Sequence, residues 1–430
     1  MNVCVVALGK IGLPLAVQCA RLGHHVIGAD VNPDVVALVN AGKEPFPGEA
    51  HLAQYLPEVV AAGLLQATTD TAAAVAASEA VIVVVPLVVD NDGVPDYRAM
   101  DAATRDIARG LRPGTLVSYE TTLPLGATRS RFAPALAEGS GLAPGSFHVC
   151  HSPERVYSGR IFADLRRYPK LVGGVDEASA AAAVAFYEAI LEFDERTDLA
   201  RPNGVWDLGS AEAAEFAKLA ETTYRDVNIA LANSFARTAD TIGVDIYKVI
   251  EASNSQPFSH IHQPGIAVGG HCIPVYPRFY LSNDPSADVV RVGRATNDSM
   301  PAYAVGRVAR HLGSLQGRTV AVLGAAYRGG VKETAFSGVF GVVAALVAEG
   351  ATPLVHDPLY TDDELTAMGF TPFHFGDTCD AAIVQADHTE YRSLTPAQIV
   401  GASVVLDGRD VTPAATLRAA GIEVLTIGRG

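Results

Sequence analysis

The sequence predicts an α/β protein in which two doubly wound, parallel-sheet domains are joined by a long central helix and a helical dimerisation region. Three observations carry this prediction. A continuous apolar run enters a glycine turn and a helix near the start of the chain, and the same order returns after residue 317. Between them, residues 210–242 contain no Gly or Pro and are rich in Ala, Leu and Glu. Unbroken rather than alternating hydrophobicity marks strands buried on both faces, as parallel strands are.

Taken in order, residues 3–8 form the first strand, and "GKIGLPLAVQCARLGHHVIGADVN" continues as turn, helix and second strand, ending near Asp30. "EAVIVVVPLV" and "RPGTLVSYETT" add two buried strands with a helical stretch between them. Residues 210–242 make one helix, on which Lys218, Thr222, Arg225 and Ile229 share a face, with Asp226 and Asn228 beside it. Such a helix spans roughly 45 Å, more than one small domain needs. It is expected to pair with a copy of itself in a homodimer or larger homo-oligomer. "RTVAVLGAAY", "FGVVAALVAEGATPLVHDP", "DAAIVQA" and "ASVVLDGRD" then supply the strands of the second sheet. The expected domains are 1–205, 206–312 and 313–430.

The composition excludes several function classes. A chain of 430 residues, 49% hydrophobic and 18% charged, has the length and balance of a multidomain soluble protein. Its net charge of -15 is scattered along the chain and argues against nucleic-acid partners. No apolar run reaches the roughly 18–20 residues of a membrane helix, and the first residues lack a basic segment and a cleavage site, so a cytoplasmic protein is expected. Cys4, Cys19, Cys150, Cys272 and Cys379 are odd in number and lack paired spacing, which points to neither a disulfide framework nor a metal site.

Two motifs carry chemistry. Residues 7–12, A-L-G-K-I-G, follow a strand and open a helix, and Asp30 lies at roughly the 20-residue distance of the acid in dinucleotide-binding turns. Gly9 would let the backbone approach a pyrophosphate at the helix N-terminus, Ala7 would tighten the turn, and Asp30 would accept from a ribose hydroxyl, favouring NAD. The second motif is "VGGHCIPVYP". Gly269, Gly270 and Pro274 flank Cys272 too closely for a packed core element, and His271 lacks partners at metal-ligand spacing. What remains is an accessible thiolate nucleophile. NAD with a nucleophilic cysteine implies capture of an aldehyde as a thiohemiacetal and its oxidation to a thioester, aided by an oxyanion stabiliser and a base for water.

"GKIGLPLA", "YETTLPLGAT", "SPERVYSGR", "KLAETTYRDVNIALAN", "PGIAVGGHCIPV", "ATNDSMPAY" and "VVLDGRDV" together resemble, in order and over the whole chain, the nucleotide-sugar 6-dehydrogenases that oxidise UDP-hexoses to uronic acids. The resemblance implies an N-terminal NAD-binding Rossmann domain, a central dimerisation domain carrying the lysine and the cysteine loop, and a C-terminal Rossmann-like domain for the UDP-sugar. It implies Cys272 as nucleophile, Lys218 as oxyanion stabiliser, Glu154 as the carboxylate assisting hydrolysis and Thr122 as a water-holding group. Gly9, Lys10, Ile11, Gly12, Asp30, Pro86 and Thr122 would line NAD. Glu154, Arg155, Lys218, Arg225, Asn228, Gly269, Arg328 and Arg409 would contact the UDP-sugar.

The chain departs from the family pattern at three places: Tyr276 stands where an aspartate is usual, Thr222 where an asparagine is, and Ala335 where an arginine is. A phenol does not carry a carboxylate's charge near neutral pH. "RDVNIALAN" and "GGHCIPV" resemble the branch acting on UDP-N-acetylhexosamines, such as UDP-N-acetylmannosamine or UDP-N-acetylglucosamine. The alternatives are a UDP-glucose 6-dehydrogenase, and a divergent paralogue that performs one oxidation or only binds nucleotide sugar. A 3-hydroxyacid dehydrogenase would leave Cys272 and the second sheet unexplained.

Overall fold

The computed structural model describes residues 1–90 and 93–430, which divide into two compact units, Met1–Ala220 and Glu221–Gly430. The strands of the first unit are β1 (Asn2–Val6), β2 (His25–Ala29), β3 (Leu65–Thr68), β4 (Ala80–Val83), β5 (Val88–Val89), β6 (Pro95–Asp96), β7 (Leu116–Tyr119), β8 (His148–His151), β9 (Lys170–Gly174) and β10 (Val205–Asp207). All but the β5–β6 hairpin join one sheet in the order β10-β9-β8-β7-β4-β1-β2-β3. The chain reverses its direction of winding between β1 and β4, and their carboxyl ends therefore open the crevice where such sheets take ligands. Val3, Val5 and Ile82 on these strands, Leu13 and Val17 on the first helix and Phe186 and Tyr187 on a later one pack into its core.

Two features differ from the sequence expectation. The first strand stops at Val6 because Ala7 turns into the left-handed region with a φ of 76°. The sheet is also not wholly parallel: β9 runs antiparallel to β8, and β10 follows β9. Such an edge is common on an otherwise parallel sheet. "HVCH" and "KLVGG" lack the apolar continuity that marked the other strands, so sequence reasoning passed over β8 and β9.

The central helix runs Ala211–Ile242, matching the expected span within one residue, and is followed by Gly243 at a φ of 75°. In the second unit its Ala232, Ala236 and Ala239 pack with Met300, Val305 and Val308 of the Met300–Leu312 helix. The second sheet is fully parallel. Its strands β11 (Thr319–Leu323), β12 (Thr352–His356), β13 (Ala381–Val384), β14 (Val404–Asp407) and β15 (Glu423–Thr426) lie in the order β12-β11-β13-β14-β15. Its winding reverses between β11 and β13, which gives this unit a ligand-accepting end of its own. Among the described residues no helix is long and apolar enough to cross a membrane.

Candidate active site

At the carboxyl ends of β1, β2 and β4, the residues expected to hold NAD meet. Asp30 accepts from Leu8 N at 2.7 Å and from Asn32 N at 2.9 Å, which fixes the acid against the glycine turn. A Cβ on Gly9 would meet no protein atom within 4 Å, leaving room for a ligand to approach the backbone. Gly12 is the opposite case: a Cβ there would lie 2.0 Å from Ala7 O and 2.7 Å from Val84 Cγ2. The first helix begins at Gly12 with no side-chain cap and no acid in its first turn; Leu13 N donates to Gly9 O and Pro14 has no N–H, so the positive end of the helix is offered to a ligand at its very first residue. Lys10 and Pro86 are exposed at this end and Ile11 is half-buried. An acid for a ribose, a bare backbone for a pyrophosphate and an uncapped helix together fit NAD.

Glu154 and Thr122 lie beyond β8 and β7. Glu154 accepts from Arg155 N at 2.7 Å and from Lys170 Nζ at 2.9 Å, and Lys170 also donates to Glu120 at 2.9 Å. The Arg155 guanidinium reaches Pro169 O at 3.4 Å. Burial pushes Glu154 up, but the Lys170 charge and the hydrogen bonds it accepts outweigh this and hold it below the usual carboxylate range. Thr122 is buried, and its neighbour Thr121 donates to Val85 O at 2.6 Å. Lys218 is buried on the central helix, one turn after Glu215. The Glu215 carboxylate takes Gly126 N, Thr128 N and Thr128 Oγ1, so the loop after Thr122 is tied to the helix that carries Lys218.

In the second unit Cys272 is exposed, whereas Cys4, Cys19, Cys150 and Cys379 are buried. The backbone fixes its loop. Gly270, at a φ of 97°, donates to Ala335 O at 2.8 Å, and the Cys272 carbonyl accepts from Val275 N and Tyr276 N at the start of the Tyr276–Asn283 helix. A Cβ on Gly269 would lie 2.5 Å from Tyr327 Cβ. The loop thus lies against the turn after β11, on the end of the sheet where Arg409 donates to Gln385 O at 2.7 Å and to Tyr327 O at 3.4 Å. Arg328 donates to the Tyr327 hydroxyl at 3.2 Å. Gly269, Arg328 and Arg409 are therefore gathered at one end of the second sheet.

The remaining helix residues divide. Arg225 is exposed and Thr222 buried. Asn228 uses its amide on backbone, donating to His260 O at 2.7 Å and accepting from His262 N at 2.9 Å, so it shapes the segment leading to the cysteine loop. A buried chain through Arg294, Asp226, Asn297 and Asn233 ends on Gly265 N at 2.9 Å and anchors the same segment. Sequence reasoning missed Asn233, Glu215, Glu120 and Lys170. A charged residue at the head or tail of an otherwise apolar strand, as in "LVSYE" and "YPKLVGG", is the signal that would have found the last two.

Comparison with known proteins adds a family. Residues 1–191 match the NAD-binding domain of the UDP-glucose/GDP-mannose dehydrogenase family, residues 212–298 its central domain and residues 321–414 its UDP-binding domain. The chain is 34% identical over 423 residues to a UDP-N-acetyl-D-mannosamine dehydrogenase of Pyrococcus horikoshii, covering 96% of each chain. The solved structure of a UDP-D-ManNAc dehydrogenase from Pyrococcus horikoshii superposes with a TM-score of 0.87 at 32% identity, covering 100% of both chains. A UDP-glucose dehydrogenase from Pyrobaculum islandicum superposes with a TM-score of 0.86 at 28% identity, covering 100% of this chain and 98% of that one.

Proposed function

The chain belongs to the UDP-glucose/GDP-mannose dehydrogenase family of NAD-dependent nucleotide-sugar dehydrogenases, and from that premise we propose that it oxidises the C6 hydroxyl of a UDP-N-acetylhexosamine, such as UDP-N-acetylmannosamine or UDP-N-acetylglucosamine, to the uronic acid. The observation that carries the reading is Cys272, an exposed thiol held by its backbone in a loop, in a chain whose other cysteines are all buried. In this reading residues 1–205 hold NAD, residues 206–312 carry Lys218 and Cys272, and residues 313–430 hold the UDP moiety, with Arg328 and Arg409 at its phosphates. Arg155, Arg225, Asn228 and Gly269 complete the sugar site.

When bound, NAD supplies the hydride acceptor for both oxidations. The first oxidation leaves an aldehyde at C6. Cys272 Sγ adds to its carbon, and the Lys218 ammonium holds the negative charge that develops on oxygen. Loss of a second hydride from that carbon turns the thiohemiacetal into a thioester. Glu154 then takes a proton from a water held by Thr122, the water oxygen adds to the thioester carbon, and the C–S bond breaks to release the acid and the Cys272 thiolate. Leu231, Val289 and Val292, exposed on the central helix and its neighbour, support a homodimer built on that surface.

The test is NADH formed per sugar consumed, with UDP-glucose and the UDP-N-acetylhexosamines offered separately. Two NADH per UDP-N-acetylhexosamine and an acid product are expected, and Cys272→Ala should form no acid. Preference for UDP-glucose would replace the substrate assignment. One NADH with released aldehyde is the second reading, and Tyr276 and Ala335, which replace the family's aspartate and arginine, favour it. Acid formation by Cys272→Ala would end the thioester mechanism.

A further inference from the structure

Behind Glu154 lies a buried group of charges that no step above uses. Lys170 opens β9 with its ammonium 5% exposed, and it donates to Glu154 Oε2 and Glu120 Oε2, both at 2.9 Å. The same nitrogen sits 4.8 Å from the centre of the Tyr187 ring. Glu120, at the end of β7, is fully buried and takes the Tyr187 hydroxyl at 2.6 Å, and that hydroxyl is 2.7 Å from Ser118 Oγ. Glu154 is the member with access to solvent, at 12% exposure. Two carboxylates share one cation in a low-dielectric interior. With both ionised the group carries a net negative charge, which burial opposes, so the pair competes for one proton.

We propose that Lys170 and Glu120 are positioning residues for Glu154, joining the two carboxylates into one buried base that holds a single exchangeable proton and presents Glu154 ionised to the hydrolytic water. The inference rests on the assignment of Glu154 as the base for thioester hydrolysis. In its reactive form the pair holds no proton: the proton taken from water enters at Glu154, becomes the single proton shared by Glu154 and Glu120, and leaves to solvent by the way it came. Lys170 stays protonated throughout. Burial pushes Glu120 up to about 7, with Lys170 opposing and Glu154 adding to the rise, so the two carboxylates differ in the required sense. The neighbouring cation is Arg155, whose guanidinium reaches Pro169 O at 3.4 Å, beside Lys170; His151, Cys19, Cys150 and Tyr187 add no charge near neutral pH. His151 on β8 is pushed down to about 3 by burial and by Lys170, and Cys19 on the first helix and Cys150 on β8 are pushed up to about 12 by burial. Burial also raises Tyr187 well above the ordinary phenol value.

The experiment is the pH profile of the second oxidation and hydrolysis in wild type, Lys170→Met, Lys170→Arg and Glu120→Gln, beside a substrate-free carbon-13 NMR titration of labelled glutamate carboxyls. Removing the cation should raise the apparent pKa of hydrolysis by about one unit or more, and removing the second carboxylate should lower it by a similar amount. Lys170→Arg should restore most of the profile. The carboxyl titration should shift in the same directions in folded, NAD-binding protein. Variants that slow the reaction with an unmoved profile and unmoved carboxyl signals overturn the inference, leaving Lys170 a packing residue. If Glu154→Gln hydrolyses normally, the fault lies in the assignment of the base and not in the coupling, which the NMR titration reads alone.

Discussion

Ala7 occupies the first position of the dinucleotide-binding turn with a φ of 76°, where a side chain crowds the following carbonyl. A non-glycine residue there costs about 1 kcal/mol. Ala7→Gly is therefore expected to stabilise the NAD-binding unit by about 1 kcal/mol, less what the freer unfolded chain takes back, without weakening NAD. Denaturant unfolding and NAD titration of the two proteins check this, and a destabilised Ala7→Gly variant would show that the methyl group packs usefully. The turn was legible because its spacing to Asp30 is local and fixed. Cys272 was legible for a related reason, since glycines and prolines around a thiol exclude a packed setting. Lys170 gave only the weaker sign of a charge at the head of an apolar strand, which names no partner: its partners lie 50 and 16 residues away, and only the folded sheet brings them together.

The central helix was equally plain, because 32 residues free of Gly and Pro have few alternatives. What the helix holds was not. Glu215 grips Gly126 and Thr128, almost ninety residues earlier in the chain, and nothing near "AEFAK" reports it. Burial pushes Glu215 up to about 7 against the pull of those donors. Between the ordinary carboxylate value and about 7 the folded state therefore binds more protons than the unfolded one, so this group's contribution to stability falls as pH rises through that window and is flat above it. Glu120 contributes with the same sign. Glu215→Gln should remove its share of the slope and lower stability overall, because an amide N–H₂ would face Gly126 N or Thr128 N. Unfolding midpoints measured between about pH 5 and 8 test this, and parallel curves for the two proteins would place the titration elsewhere.

For the whole molecule, the order of motifs foretold two sheets and a helix between them, while the number and direction of the strands followed from packing that short, mixed segments such as β8, β9 and β10 do not announce. The proposed homodimer depends on a surface that only this scale assembles. Leu231 on the central helix is 46% exposed, and Val289 and Val292 on the Asp288–Asp298 helix are 70% and 56% exposed. With Val227, Ala230 and Gly293 they line one shallow depression whose lining also includes Ser234, Asp288 and Thr296. Single exposed apolar residues are ordinary, and apolar residues grouped across two packed helices are what the proposed homodimer would bury. A twofold axis beside this long helix would let the same patch serve both copies. Val292→Asp would place two like charges near that axis without entering either core. Light scattering after size exclusion should therefore give a dimer for the wild type and a monomer for Val292→Asp with unchanged circular dichroism. A wild type that stays monomeric across concentrations would mean that the patch serves another partner, and that the length of the helix reflects the second unit it packs rather than a copy of itself.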